Sequence, residues 1–460
     1  MSADRTAPLG VRQLLAALDA GRLDPVAVTE DCLRRIDTLD GLIRAFTWVD
    51  ADGARATARE RARQLDNGVR VGPLHGIPIA VKELVDVATA PAEYGSQARL
   101  GARAAADATV VTRLREAGAV IIGTTRSHEF GWGITTQHPV RGGTRNPVAL
   151  DRVPGGSSGG AAAAVATGMV PACVATDTGG SIRIPSAFCG VAGIKPTFGS
   201  VPRAGVVPLA PSLDTVGVIA RRVTDLWLVL AAMGHHDPAA GSLPDLRYPL
   251  GLNGLSIGIA PRLVPGASDG MRSACYDEAL DVCARLGAHL TEVDTPAAED
   301  IRAVFTVIQG FEAVRTHTQE LALYPQRRHS YGEDVAGRLD AASSITEYAY
   351  VTARKEGERL RAQLVAACRA VDALLTPVSL VAPPLLDSPD TVHVKGQPVA
   401  TRDAVMGFTV PQNLAGLPTV AFPGPAATDG LPFGLQLTAA PGRERAVLAI
   451  AERLERAMTE

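Results

Sequence analysis

The stretch GGSSGGAAAAVATGMVPACVATDTGGSIRIPSAFCG, Gly155 to Gly190, delivers serine twice behind paired glycines. Gly155-Gly156 precedes Ser157-Ser158, and Gly179-Gly180 precedes Ser181. Glycine-flanked serines on tight turns are candidate nucleophiles, but a serine hydroxyl attacks only when a neighbour takes its proton. No histidine lies within these residues; the nearest are His138 and His235. A base must therefore come from elsewhere in the chain. Arginines number 41 and lysines only four: Lys82, Lys195, Lys355 and Lys395. Guanidinium stays protonated, whereas a buried lysine amine can lose its proton. Lys82 closes the apolar run Ile77-Pro78-Ile79-Ala80-Val81, and a neutral amine there is a competent general base. The competing reading is an amine that snorkels from a strand end. Lys195, in Gly193-Ile194-Lys195-Pro196-Thr197, is the rival; it follows a predicted helix and can hydrogen-bond nearby carbonyls.

Other chemistries fit less well. Gly155-Gly156-Ser157-Ser158-Gly159 satisfies GxSxG, the nucleophile elbow of an α/β-hydrolase esterase with Ser157 attacking. That elbow needs a strand just before it, and Asp151-Arg152-Val153-Pro154 is a poor strand. Its histidine would be His393, in a polar stretch with nothing else to recommend it. No Gly-Lys-Ser/Thr follows the glycines, so a phosphate loop fails, and Trp132 breaks an HExxH begun by His128-Glu129. His235-His236-Asp237 reads as a solvated turn, since zinc needs three or four convergent ligands. The six cysteines form no CxxC pair and read as buried, reduced thiols.

The elements that must position these residues alternate. Three helices open the chain: one with Val11, Leu14, Leu15 and Leu18 on a single face, one begun by Asp24-Pro25, and a charged one over 51–65. Strands are predicted at 77–81, 119–122, 170–175, 255–260, 373–376 and 434–437. Helices are predicted at 109–117, 160–167, 268–286, 347–370 and 444–458, and 234–252 reads as a surface loop. This alternation implies an α/β sheet with helices on both faces. No linker separates domains, so 1–460 reads as a single domain, with a helical segment 1–67, a core at about 70–205 and variable segments at about 234–252 and 295–345. A net charge of −3 and a pI of about 6.3 give no footprint for nucleic acid or anionic lipid. No signal peptide or membrane span is legible, so the expectation is a cytoplasmic protein without a membrane partner.

Three segments carry a resemblance. Gly72 to Lys82 (GPLHGIPIAVK), GGSSGG, and Asp177 to Ser186 (DTGGSIRIPS) resemble the amidase signature family. Thr144-Arg145-Asn146-Pro147 looks like that family's segment before the first glycine pair. Phe408 to Pro418 (FTVPQNLAGLP) and Gly430 to Leu437 look like its C-terminal strands. The resemblance implies a single α/β/α sandwich around a twisted mixed sheet and an amidohydrolase using a Ser-Ser-Lys triad, without metal or cofactor. Carried over, Ser181 is the nucleophile, Ser157 the bridging serine with a cis peptide to Ser158, and Lys82 the base. Backbone N–H groups of Thr178, Gly179, Gly180 and Ser181 would form the oxyanion site. Ser158, Asp177 and Arg183 would be structural supports. The sequence departs at Glu83, where many relatives have Asp, and at Thr124, where they commonly have lysine.

The expected partner is a small-molecule amide, with a homodimer the default assembly. The pocket wall is expected to include Phe130, Trp132, Val304 to Phe311, Met406 and Phe408, an apolar set; Arg315 or Arg354 could meet a substrate carboxylate. The alternative is the glutamine-hydrolysing subunit of a tRNA-dependent amidotransferase, which shares the triad and works with partner proteins. Relatives of that type tend to carry an acidic residue where this chain has Met406.

Overall fold

The computed structural model describes residues 8–234, 251–264, 270–394 and 396–459. From the N-terminus, α1 (Val11–Asp19) and α2 (Pro25–Ile43) lead to β1 (Phe46–Val49), α3 (Ala51–Asp66) and β2 (Pro78–Lys82). Then come α4 (Thr109–Glu116), β3 (Val120–Thr125), α5 (Gly159–Ala166), β4 (Ala172–Asp177), α6 (Arg183–Cys189), β5 (Ala192–Lys195), β6 (Thr215–Ala220) and α7 (Val223–Ala232). The second half holds β7 (Ser256–Ile259), α8 (Met271–Arg285), β8 (His289–Glu292), α9 (Ala298–Arg315), α10 (Glu333–Ala342) and α11 (Glu347–Arg369). It ends with β9 (Ala373–Pro377), β10 (Thr391–Val394), β11 (Gln397–Ala400), α12 (Thr401–Leu414), β12 (Thr419–Pro423), β13 (Gly434–Thr438) and α13 (Glu444–Thr459).

Eleven strands form one mixed sheet in the order β1-β3-β2-β4-β6-β5-β12-β13-β9-β7-β8, while β10 and β11 make a separate hairpin. Strand side chains alternate between faces, and the packing follows. Ile79, Val81, Ala172, Val174, Val216 and Val218 join a core with α1, α4, α7, α8 and α13. On the other face Ala80, Cys173, Ala175 and Ile219 pack under α2, α3 and α5. Farther along that face, Leu374 and Ala421 meet α9, α11 and α12. The result is the expected α/β architecture, a mixed sheet between two helical layers.

Local signals explain many boundaries. Asp24 caps α2 by accepting from the N–H groups of Val26 and Ala27 at 2.7 and 2.9 Å, with Pro25 at the first helical position. One segment departs from expectation. Phe408–Leu414 is not a strand but the last two turns of α12, which continues despite Pro411. Nearly every residue of this helix is buried, so tertiary packing overrides the strand preference of Phe-Thr-Val. The expected loop 234–252 and the His235-His236-Asp237 turn lie almost wholly outside the described residues. His393 sits in the β10–β11 hairpin, and all six cysteines are free and buried. Among the described residues, no helix is long and apolar enough to cross a membrane.

Candidate active site

β2 and β4 lie side by side and parallel, with Ala80 opposite Cys173 and Val81 opposite Val174. Lys82 and Asp177 thus end neighbouring strands at the same edge, where α/β sheets commonly bind ligands. Lys82 shares the face of Ala80, over which α5 packs, and Ser157 and Ser158 immediately precede α5. The turn holding these serines is fixed on both sides. Thr136 Oγ1 donates to Gly155 O (2.8 Å) and accepts from Gly159 N (3.0 Å). His128 N donates to Ser157 O (3.0 Å), and Ser158 N donates to Ser181 O (3.2 Å), tying the two serine turns together. The cis peptide lies between Gly156 and Ser157, one bond earlier than expected.

Lys82 is fully buried. Its Nζ stands 2.7 Å from Ser157 Oγ, 2.9 Å from Ser158 Oγ and 2.9 Å from Thr176 Oγ1. Burial pulls the amine down to about 7, against the opposing pull of Asp177 and Glu83. Ser158 Oγ donates to Thr176 O (3.3 Å), so toward Lys82 it acts as acceptor. Ser157 Oγ has no such acceptor among the described residues and can donate to a neutral amine. Thr176, unremarked in the sequence, is the third hydroxyl around Nζ. Lys195 is also buried and also pulled down to about 7 by burial, but its Nζ donates to Pro196 O (2.9 Å), away from both serines. Among the described residues no hydrogen bond joins Ser157 Oγ to Ser181 Oγ.

The loop after β4 is held by one buried ion pair. Arg183 Nε and Nη2 donate to the two Asp177 oxygens, each at 3.1 Å. Arg183 reaches on to Gln412 and Gln436 (3.0 and 2.9 Å), Thr409 O (2.8 Å) and Asn413 (2.6 Å). Burial raises the Asp177 carboxyl, but the Arg183 charge and the surrounding donors overcome this and hold it well below the usual range. Gly180 N donates to Asp177 Oδ1 (2.8 Å) and Ile182 N to Oδ2 (3.1 Å). Gly180 is therefore corrected from the expected oxyanion set: its N–H is already engaged. The N–H groups of Thr178, Gly179 and Ser181 have no acceptor among the described residues. Gly180 adopts φ +121°, and a Cβ there would stand 2.4 Å from Thr409 Oγ1. Thr178 Oγ1 donates to Asp214 (2.6 Å), whose carboxyl burial raises to about 6.

Ser181 opens onto a narrow cleft lined by Thr178, Gly179, Gly131, Trp132, Gln309, Arg402 and Met406. Trp132, Gln309, Arg402 and Met406 also line an adjoining cavity of about 620 Å³ between α9, α10 and α12. Of the four pocket residues expected outside the 304–311 segment, Trp132 and Met406 thus reach this space. Phe130 and Phe408 do not. Phe130 is buried against His317, Tyr331 and Tyr94, and Phe408 packs in the core under the sheet. Of the α9 segment, Phe305, Thr306, Gln309 and Gly310 reach the cavity. Neither expected arginine does: Arg315 is exposed, and Arg354 pairs with Glu312 at 3.3 Å. Arg402, which the sequence did not single out, is the arginine shared by the cleft and the cavity. Burial, and then the charge of Arg338, pull it down to about 9.

A family model described as Amidase matches residues 27–448. A glutamyl-tRNA(Gln) amidotransferase subunit from Chloroflexus aurantiacus is 36% identical over 475 residues, covering 97% of this chain and 96% of the relative. A crystal structure of an amidase superposes with a TM-score of 0.89 at 35% identity, covering 98% of this chain and all of that one. The native peptide amidase of Stenotrophomonas maltophilia superposes at 0.83 with 30% identity, over 98% and 97% of the two chains.

Proposed function

From the premise that the chain belongs to the amidase family, we propose that it hydrolyses a carboxamide C–N bond through an acyl-enzyme on Ser181. Neutral Lys82 accepts the Ser157 proton, and Ser157 accepts that of Ser181 as its Oγ bonds to the carbonyl carbon. The developing oxyanion takes hydrogen bonds from unengaged N–H groups of Thr178, Gly179 or Ser181. Returned along the same relay, the proton goes to the nitrogen as the C–N bond breaks, so an amine or ammonia leaves. Water then attacks the ester by the same route and frees the acid. The last link, Ser157 to Ser181, closes when substrate draws the hydroxyls together, since apo contacts are commonly loose.

The observation that carries this reading is Lys82 Nζ buried among the Ser157, Ser158 and Thr176 hydroxyls. Ser181→Ala is expected to abolish amide hydrolysis and labelling by a fluorophosphonate probe while leaving the melting temperature nearly unchanged. Probe labelling of Ser157 in place of Ser181 would favour the esterase reading instead.

A narrower reading is the glutamine-hydrolysing subunit of an amidotransferase. The curated relatives carry the amidotransferase name and so favour it more than the sequence alone did. Met406 on the cavity wall speaks against it, because a thioether offers nothing to glutamine's ammonium. Ammonia release from glutamine, together with size-exclusion chromatography in the presence of partner proteins, separates the two.

A further inference from the structure

Arg402 is a cation without a partner among the described residues, in a place that is costly for it. Its Nη1 is fully shielded from solvent and has no hydrogen-bond acceptor, and none of its nitrogens lies within 4 Å of a carboxylate among the described residues. It occupies the first turn of α12, the helix end where backbone dipoles disfavour positive charge. Three carboxylates pull on its charge, Asp334, Asp403 and Asp390, but none comes within ion-pair distance, and the first two are engaged elsewhere. Arg338 donates to Trp132 O and pairs with Asp334 at 3.3 Å; Asp334 also holds His128 Nε2 at 2.8 Å. Arg302 pairs with Asp403 at the mouth. Of the three arginines that line the cavity, Arg302 and Arg338 each have a carboxylate within ion-pair distance and Arg402 has none among the described residues. A guanidinium nitrogen shut away from water and left without an acceptor is unfavourable, and the group's planar fork matches a carboxylate bidentately. Trp132, Phe305, Met406, Ala342 and Ile345 supply the apolar part of the wall.

We infer that the substrate is an amide that also carries a carboxylate, held by Arg402 at the junction between the Ser181 cleft and the larger cavity. This rests on Ser181 as the nucleophile and adds the substrate class to it. The carboxylate could sit on the acyl part, as in the monoamide of a dicarboxylic acid, or on the amine part, as in an N-acyl amino acid. Both present the same anion to the same guanidinium.

The test compares kcat/KM for succinamic acid and for N-butyrylglycine with that for butanamide and for N-butyryl methylamine, their uncharged counterparts. One charged substrate is expected to exceed its neutral counterpart by roughly 100-fold, the scale of a charge-assisted hydrogen bond; which one does so identifies the side bearing the carboxylate. Arg402→Met is expected to collapse that ratio toward one, and Arg402→Lys to restore part of it. Succinate should protect wild-type Ser181 from fluorophosphonate and fail to protect Arg402→Met. If Arg402→Met does not fold, the wild-type ratio and the protection by succinate decide. Equal rates on charged and neutral amides, with Ser181 still labelled, overturn the carboxylate inference alone. Absence of both hydrolysis and labelling overturns the amidase reading itself.

Discussion

Protonation of Lys82 should set the acidic limb of the pH–rate profile. An exposed lysine near 10.5 is neutral in only about 0.03% of molecules at pH 7, whereas an amine at about 7 is half neutral there. Burial among hydroxyls therefore raises the competent fraction by roughly a thousandfold. Below its midpoint the neutral fraction falls tenfold per pH unit, so kcat/KM at pH 5 should be roughly 1% of the plateau. The assay is ammonia or amine release from a neutral amide between pH 5 and 9.5, paralleled by the rate of fluorophosphonate labelling. Ser158→Ala supplies an internal check. That hydroxyl is oriented as an acceptor by its bond to Thr176 O, so removing it disfavours the ammonium and should move the limb to lower pH. Stability carries the same signature. Lys82 binds its proton more weakly in the folded protein, so between about 7 and 10.5 the unfolded chain holds more protons and stability rises with pH. Below 7 the full penalty applies, on the order of 5 kcal/mol, and Lys82→Met should be stabilised most there and gain nothing above 10.5. A flat profile between pH 5.5 and 8, or an unmoved limb in Ser158→Ala, refutes the relay.

Two further outcomes follow from the loop after β4. Arg183→Met leaves Asp177 buried without its cation and should cost about 3–5 kcal/mol in denaturant unfolding, with activity lost as Gly180 and Ile182 lose their anchor. Gly180→Ala puts a Cβ 2.4 Å from Thr409 Oγ1 at φ +121°; activity should fall by more than about a hundredfold through a displaced Ser181 N–H, while mere destabilisation with normal turnover would contradict that reading.

Much of this site was legible because its signals are local. An apolar run ending in Lys82, paired glycines before serines, and Asp-Pro at a helix start each act within a few residues. What escaped depends on distant partners. Arg183 finds Gln412, Asn413 and Gln436 more than two hundred positions away, and nothing near Asp177 announces that it will take the Gly180 N–H. The Phe-Thr-Val start of 408–414 favours a strand in isolation; burial on nearly every side makes it helix. Phe130 and Phe408 share the apolar character of Trp132 and Met406, and only the fold decides which pair faces the cavity. Arg402 was one of 41 arginines until the absence of a partner among the described residues set it apart.

The reach of Arg183 has an implication for how such a site could change its diet. By gripping both the turn that carries Ser181, the proposed nucleophile, and the helix that carries Met406 and Arg402, this single side chain welds one wall of the cavity to the proposed reaction centre. New tastes are then easiest to acquire on the opposite side, along α9 and α10, where residues can be exchanged without disturbing the alignment of the attacking atom.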